Sequence, residues 1–378
     1  MRVAFYAPMK PPTHPNPSGD RRMAKLLMQA WRGAGHAVEL ASRFRSYDKG
    51  DTQRQERIRQ IGRKLADRLI RQFRARPAEQ RPDLWFTYHL FHKAPDWLGP
   101  TVSSALNIPY IIAEASYAPK QADGPWNSGH LACAETFAKA DRIIGFNAND
   151  EDCLLPLLDN PNRHMMLPPF IDTAPYRQAM LDRVAYRRAL SKRLGLKEDV
   201  PLLLCVAMMR SDQKLLSYQL LGKALEKIIE RPWQLLVVGS GSASAKVKMA
   251  LAPLGDRVSW LGSLQEDALR PLYGGSDIFV WPAIKEAYGM VFLEALSTGL
   301  PVVAGLSPGV EGIVSNERNG LLVPQGDATT FSNAIARLLE DRSLLKAMSV
   351  AAHNDMIENH GLQQMSLSLG KIAQEALS

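Results

Sequence analysis

Short apolar runs alternate with stretches of helical periodicity along the whole chain. A run that is apolar on both faces predicts a strand of a parallel sheet, because helices cover both sides of such a sheet. The runs fall into two series, so the pattern predicts an α/β protein with two doubly wound domains. Strands are predicted at residues 3–6, 37–40, 84–88, 109–113, 142–146 and 164–167, and then at 202–207, 234–238, 258–261, 278–281, 302–304 and 321–323.

A proline-rich segment at 168–172 separates the two series and predicts the linker between the domains. The length of 378 residues agrees with this division, since a domain takes roughly 150 residues. Apolar residues make up 46 % and charged residues 22 % of the chain, which excludes fibrous and wholly disordered proteins. Cys133, Cys153 and Cys205 lie far apart, so we expect no disulfide framework and a cytoplasmic location.

The positive charge of the chain is concentrated in one segment. The formal net charge is +8, and residues 43–81 hold thirteen basic and five acidic residues, so the remainder is neutral. Within this segment the spacing predicts an amphipathic helix over 52–76. Its apolar stripe, expected to pack on the first sheet, is Ile58, Ile61, Leu65, Leu69 and Phe73. The basic remainder is expected to face an anionic membrane or an anionic acceptor.

No apolar run approaches the ~20 residues that a membrane-spanning helix needs. The longest one, 202–209, covers a single strand and its continuation. We therefore expect attachment to the inner face of a membrane at most.

The segment 278–305 contains the most informative candidate chemistry. A strand ends near Pro282, a loop carries Glu286, and a helix that begins near Gly289 contains Glu294. The first N–H groups of a helix lack partners within the helix, so this helix start predicts a phosphate site. Two carboxylates beside a phosphate are understandable if they accept hydrogen bonds from the hydroxyl groups of a sugar.

These residues resemble the E-x7-E signature of the family 4 retaining glycosyltransferases. Glu286 and Glu294 have the required spacing, and the apolar segment 299–303 follows them. Other matches, in the family's order over nearly the whole chain, are Gly19, Gly35-His36, 140–144, Asp172, 238–241, 320–323 and Gly326-Asp327. The resemblance implies the GT-B fold, in which two facing Rossmann-like domains enclose a cleft.

The resemblance also implies roles in the donor site. Glu286 is similar to the glutamate that holds the hydroxyl groups of the donor sugar, and Glu294 to the one that binds the ribose. Arg210 and Lys214 are similar to the Arg/Lys pair that binds the diphosphate, and they stand one residue closer together than usual. Such fixed cations stabilise the charge that develops on a leaving diphosphate. The other expected donor contacts are Gly19, Gly239, Leu264, Tyr288, Gly289, Met290 and Val291.

The acceptor is expected to bind in the N-terminal half. Many family members place a histidine after the strand that ends at Ala113, where this chain has Glu114. The polar group beside the donor sugar is therefore either Glu114 or His89, and the sequence leaves both open. Further acceptor candidates are His92, Ser116, Lys120, Trp97, Tyr117, Trp126 and, more weakly, His130.

Three motifs suggest other chemistry and are not adopted. Residues 150–152 read as the D-x-D metal motif of the other glycosyltransferase fold, but acids in the first turn of a helix explain them better. Residues 305–309 match the G-x-S-x-G motif of serine hydrolases, yet Pro308 lacks the N–H that an oxyanion hole needs. A dinucleotide fingerprint at 239–244 fails because Ser244 replaces its third glycine.

The resemblance therefore implies transfer of a hexose from a UDP- or GDP-sugar to a hydroxyl acceptor, with retention and without metal or resident cofactor. The acceptor would be a glycan or a lipid-linked saccharide, and no nucleic acid is expected. The alternatives are a nucleotide-sugar epimerase, a sugar phosphorylase, and a catalytically silent nucleotide-sugar-binding subunit. The acceptor domain is predicted at 1–172 plus 360–378, with a returning C-terminal helix, and the donor domain at 173–359.

Overall fold

All twelve predicted strands are present, and they form two parallel sheets. The computed structural model describes residues 1–16, 18–286 and 288–377. The chain divides into a first unit, Met1–Leu167 with Leu362–Ser378, and a second unit, Pro168–Gly361. The ends of the strands differ from the predicted ends by at most two residues, because apolar runs are a local signal.

The first unit contains a six-stranded sheet. Its strands are β1 Arg2–Tyr6, β2 Ala37–Leu40, β3 Leu84–Leu90, β4 Tyr110–Ala115, β5 Arg142–Gly145 and β6 His164–Met166. Their order is β2-β1-β3-β4-β5-β6, and neighbouring strands are parallel. Phe5 of β1 and Phe86 of β3 stack with ring centroids 5.5 Å apart, so aromatic packing joins the inner strands.

The second unit contains the other six-stranded sheet. Its strands are β7 Leu202–Val206, β8 Gln234–Val238, β9 Val258–Gly262, β10 Ile278–Trp281, β11 Val302–Gly305 and β12 Gly320–Val323. Their order is β12-β11-β10-β7-β8-β9, again with parallel neighbours. The central strands β7 and β10 are wholly buried, as the continuous apolar runs predict.

Helices connect the strands in both units. In the first unit they are α1 Gly19–Gly33, α2 Thr52–Arg74, α3 Gly99–Leu106, α4 Asn127–Lys139 and α5 Glu151–Leu154. In the second unit they are α6 Ala174–Leu181, α7 Arg183–Leu194, α8 Gln213–Glu226, α9 Ser244–Leu251, α10 Glu266–Gly275, α11 Met290–Ser297, α12 Pro308–Glu311, α13 Ala328–Glu340 and α14 Arg342–Asn359. The last helix, α15 Leu362–Leu377, belongs to the first unit.

Polar side chains fix where several of these helices begin. Ser18 accepts a hydrogen bond from the backbone of Arg21 and caps α1. Asp51 caps α2 in the same way through the N–H of Arg54. Each cap satisfies a donor that the helix itself leaves without a partner.

Helix α15 returns to the first unit and packs against α1. Met365, Leu369 and Ile372 form its buried face. Any side chain at Gly33 of α1 would collide with Ser366, so the two helices approach closely at that point. The units change at 167/168 and 361/362, whereas the predicted changes lie at 172/173 and 359/360.

The predicted apolar stripe of α2 needs correction. Ile61 is 50 % exposed, and the fully buried line of the helix contains Gly62 and Ala66 instead. A Cβ atom at Gly62 would collide with Trp97 and lie 3.4 Å from Phe44. Because the helix contacts these rings and α3 through its smallest residues, the contact line is rotated away from Ile61. The helix also ends at Arg74, two residues earlier than predicted.

In a parallel sheet the carboxyl ends of all strands lie at one edge, and loops at that edge carry binding residues. The loops after β3, β4, β7 and β10 contain most of the predicted site residues. Among the described residues, no helix combines the length and apolar content needed to cross a membrane.

Candidate functional site

Glu286 and Lys214 are brought together at the carboxyl edge of the second sheet. Glu286 lies in the loop after β10, and its Oε2 atom is in contact with Nζ of Lys214 in the first turn of α8. The indole N–H of Trp281, the last residue of β10, lies 3.4 Å from the same oxygen. The two charged side chains are only 20 % and 16 % exposed, so the ion pair is partly shielded from water.

Two serines hold the Glu286 loop in place. Ser217 of α8 accepts a hydrogen bond from the N–H of Ile284 at 3.0 Å. Ser307 donates to the carbonyl of Glu286 at 3.5 Å. Ala283 and Lys285 have positive φ angles of 53° and 51°, which residues other than glycine seldom adopt. The serine of the rejected hydrolase motif therefore supports the loop of the predicted donor glutamate.

The loop continues into Gly289, which precedes α11 with a φ of 62°. A Cβ atom there would collide with the ring of Phe292 and lie 3.5 Å from Cγ of Glu286, so only glycine fits without strain. The N–H groups of Met290 and Val291 form the first turn of α11, where helix donors point outward. An anion at this helix start would also benefit from the helix dipole.

Glu294 lies deeper in the second unit than Glu286. Its side chain is buried on α11, with the residue 4 % exposed, and its Oε2 accepts a hydrogen bond of 2.5 Å from the hydroxyl of Tyr273. Tyr273 is fully buried on α10. The hydroxyl therefore fixes the orientation of this carboxylate.

Arg210 and Lys214 have different neighbours. Arg210 is exposed and pairs with Asp212 through Nε at 3.1 Å, whereas Lys214 pairs with Glu286. Asp212 also caps α8 by accepting from the backbone of Lys214 at 3.0 Å. Asp212 thus fixes the helix start that presents Lys214, a role that the sequence analysis missed.

The remaining predicted donor residues differ in their surroundings. Gly239 has a φ of 147°, and a side chain there would collide with the carbonyl of Ala207, so packing already requires this glycine. A Cβ atom at Gly19 would meet no described atom within 4 Å. Leu264 and Tyr288 are half-buried beside the second core.

The first unit has a polar cluster at the ends of β3 and β4. His89 and Glu114 stand opposite each other in the register of these strands, between the pairs Tyr88–Ala113 and Leu90–Ala115. Both have left-handed backbone, with φ angles of 62° and 58°. A non-glycine residue in this conformation costs of order 1–3 kcal/mol. Two such residues side by side make the ends of β3 and β4 a candidate functional site.

Three carboxylates surround the ring of His89. Its Nδ1 lies 2.9 Å from Oδ1 of Asp20 in α1 and 3.9 Å from Oε1 of Glu114. Burial by itself lowers the pKa of His89, but Glu114, the hydrogen bond with Asp20 and the charge of Asp150 raise it above its ordinary value. The same hydrogen bond is the main cause that lowers the pKa of Asp20.

Asp150 also contributes to this cluster. As predicted, residues 150–152 stand at a helix start, since Asp150 precedes α5 as its N-cap residue and Glu151 and Asp152 lie in its first turn. Burial raises the pKa of Asp150, while Ser116 hydrogen-bonds to it and the charges of His89 and His164 oppose the rise. Within the described residues, no group of histidines, cysteines and carboxylates could hold a metal ion.

Other acceptor candidates mainly pack within the first unit. Tyr117 and His130 stack at 4.4 Å and share a 2.8 Å hydrogen bond. Trp97 lies against Gly62 of α2. Trp126 receives the ammonium group of Lys93 over its ring at 4.5 Å.

Comparisons with known proteins agree with the architecture. A glycosyltransferase from Rickettsia africae superposes with a TM-score of 0.75 and 18 % sequence identity, and the match covers 100 % of this chain and 98 % of that one. It matches Anabaena HepE in complex with UDP with a TM-score of 0.72, 13 % identity, and coverage of 99 % and 100 %. The chain has the GT-B fold.

Sequence comparison finds similarity to known protein families in the second unit. Residues 200–341 match the family model described as Glycosyl transferases group 1, and this segment lies inside the second unit. The D-inositol 3-phosphate glycosyltransferase of Nocardia farcinica is 29 % identical over 269 residues, which are 68 % of this chain and 57 % of that protein. The chain spans about half the length of the curated relatives that it matches.

Proposed function

We propose that the protein is a glycosyltransferase that moves a hexose from a UDP- or GDP-sugar to a hydroxyl group of an acceptor. The observation that carries this proposal is the Lys214–Glu286 pair over Trp281, beside the glycine-led start of α11. This arrangement lies within the segment that matches the group 1 glycosyl transferases. Solved structures of HepE, which has the same fold, contain UDP and UDP-glucose.

The donor would bind in the second unit. The diphosphate would take Lys214, Arg210 and the N–H groups that begin α11, because all of them favour negative charge. Glu286, released from Lys214, would then accept hydrogen bonds from the sugar, and Glu294 from the ribose. In this way the arrival of the diphosphate would make Glu286 available for the sugar.

The proposed reaction breaks the bond between the anomeric carbon and the diphosphate oxygen, which keeps the electron pair. The acceptor oxygen forms a new bond to the anomeric carbon, and its proton goes to the diphosphate. Lys214 and Arg210 would stabilise the charge of the leaving diphosphate. Retention of the anomeric configuration and independence of metal are part of the proposal, since the residues resemble those of the retaining family.

The acceptor, a glycan or a lipid-linked saccharide, would bind to the first unit. His89 with Asp20, Glu114 and Asp150 offers one hydrogen-bond donor among several acceptors, a composition that suits the hydroxyl groups of a sugar. Both His89 and Glu114, which the sequence left as alternatives, belong to this one cluster. Asp20 is a positioning residue because it fixes the ring of His89.

Product analysis tests the proposal. The protein is incubated with a panel of UDP- and GDP-hexoses, with and without saccharide acceptors, and the products are separated by mass spectrometry. We expect nucleoside diphosphate and an acceptor heavier by one hexose. An epimerised donor would instead indicate an epimerase, and a sugar phosphate formed from inorganic phosphate would indicate a phosphorylase. Donor binding without any turnover would indicate a silent subunit.

The loop glutamate provides a sharper test. Glu286→Gln should abolish most transfer while the fold stays intact, because no apolar packing depends on its charge. Glu358→Gln on α14 is the matched control, since Glu358 is exposed at the surface of the same unit. Near-normal turnover of a folded Glu286→Gln protein would reject the assignment of the site.

A further inference from the structure

Helix α2 presents one flank to solvent that contains basic residues and a single apolar residue. We call it the basic flank: Arg57, Ile61, Lys64, Arg68 and Arg71. These positions are spaced by four, three, four and three residues, so they share one side of the helix. All five are exposed, and they lie away from the line of Gly62 and Ala66 that packs against α3.

The cations of the basic flank are not neutralised by the protein. Other arginines of α2 and its surroundings have partners, such as Arg59 with Glu56 and Arg76 with Glu39. No ion pair or hydrogen bond joins the four side-chain charges of the basic flank to any described residue. Of the acidic residues of the helix, Glu56 pairs with Arg59. Asp67 borders the basic flank, three residues after Lys64 and four before Arg71, and no ion pair joins it to either among the described residues. The charge of the basic flank is therefore available to an external anion.

This helix carries most of the excess charge of the chain. It holds eight basic and two acidic residues, a net charge of +6 in a chain of +8. From Arg57 to Arg71 the basic flank extends over about 21 Å at the usual rise per residue. A straight, convex row of this length fits a broad anionic surface better than a pocket-sized anion.

The exposed side chain of Ile61 indicates whether the anionic surface is a lipid membrane. It stands in the middle of the cations and is 50 % exposed, although the neighbouring Gly62 is buried. An exposed isoleucine gains nothing from phosphates or water, but it can enter the boundary between lipid headgroups and acyl chains. We infer that the basic flank of α2 binds the surface of a membrane containing anionic lipids.

This inference goes beyond the proposed function and does not depend on it, because binding to lipid can be measured without any transfer reaction. Sedimentation with phosphatidylglycerol-containing vesicles, compared with pure phosphatidylcholine vesicles, gives the partition coefficient. We expect binding only to the anionic vesicles at low salt. Near 1 M salt the binding should disappear, since the Debye length falls to ~3 Å.

The decisive variant replaces Arg57, Lys64, Arg68 and Arg71 with glutamine. Each cation should contribute about fivefold to the partition coefficient, because a basic residue near an anionic leaflet contributes ~1 kcal/mol. The variant with all four substitutions, called the fourfold variant, should therefore have a partition coefficient several hundred times lower than that of the wild type. The control variant removes the same number of positive charges from the second unit. It replaces four exposed residues with glutamine, namely Arg188, Lys192, Arg193 and Lys197.

The control variant should bind vesicles like the wild type, and Ile61→Ser should weaken binding by a smaller factor than the fourfold variant. Circular dichroism and thermal melting establish that all variants are folded. Equal losses in the fourfold and control variants would reject the inference, since net charge alone would then explain binding. Wild-type protein that ignores the anionic vesicles at low salt, or that binds RNA instead, would reject it as well.

Discussion

Replacing Asp20 with asparagine should lower the pKa of His89. The wild-type ring keeps its proton to a higher pH than usual, because the charge of Glu114 and the hydrogen bond with Asp20 raise the pKa of His89. Asparagine keeps the shape of the side chain and removes its charge. Burial of the ring lowers the pKa of His89, and with one carboxylate fewer this effect is less compensated.

The effect on stability has a definite pH window. The raised pKa of His89 stabilises the fold fully below its unfolded value near 6.5, and this contribution is lost as the pH rises through the folded pKa. The lowered pKa of Asp20 stabilises the fold above its unfolded value near 3.8, and this contribution is lost as the pH falls through the folded pKa. The pair is therefore most stabilising between these two values.

A hydrogen bond between charged groups contributes ~1.5–3 kcal/mol. Glu114 and Asp150 remain beside the ring in Asp20→Asn, and the side chains of the pair are 18 % and 27 % exposed. We therefore expect a loss of about 1.5 kcal/mol in the free energy of unfolding within this window. Above the folded pKa of His89 the difference from the wild type should shrink.

NMR titration of the His89 ring measures the pKa, and urea unfolding at several pH values measures the stability. Asp67→Asn, on the exposed side of α2 in the same unit, should leave the His89 titration unchanged. An unchanged or higher pKa of His89 in Asp20→Asn would refute the electrostatic account of the cluster.

Four further substitutions, one of them with a matched control, test other parts of the structure. Arg210→Ala and Lys214→Ala should each lower activity tenfold or more, because a charge-assisted hydrogen bond is worth ~1.5–3 kcal/mol; activity that requires a divalent ion would contradict the metal-free proposal. Tyr273→Phe should raise the Michaelis constant for the donor more than it changes the maximal rate, which steady-state kinetics resolves. Gly62→Ala should cost ~1–3 kcal/mol in the free energy of unfolding through the collision with Trp97. The higher helix propensity of alanine should offset ~1 kcal/mol of this loss. Gly370→Ala, whose Cβ would lie 3.7 Å from Ala34, should raise the melting temperature instead.

Much of the architecture can be predicted from short stretches of the sequence. The strands could be predicted because each apolar run needs only its own residues. Lys214 and Glu286 could be named as candidate site residues because motifs mark them, and their roles stay predictions. The neighbours of Glu294 could not be predicted, since Tyr273 reaches it from a different helix. Ile61 was misplaced because the period of a helix does not show that Gly62 lies against Trp97.

The cluster around His89 shows the same limit more clearly. Asp20, His89, Glu114 and Asp150 come from four separate places in the chain, and only the strand order brings them together. The sequence pattern also carries no sign that His89 and Glu114 adopt left-handed backbone. Acids near the start of a helix, such as Asp20 and Asp150, resemble ordinary helix caps until their distant partners are known.

The course of the chain through the two units has a consequence for biosynthesis. The second unit, Pro168–Gly361, is a continuous segment inserted between the two parts of the first. A ribosome releases the N-terminal part first, yet the face of α1 that receives α15 stays uncovered until residues 362–377 have emerged. The second unit can therefore complete its fold before the first. Newly made chains would expose this face of α1 for the time needed to synthesise the whole second unit.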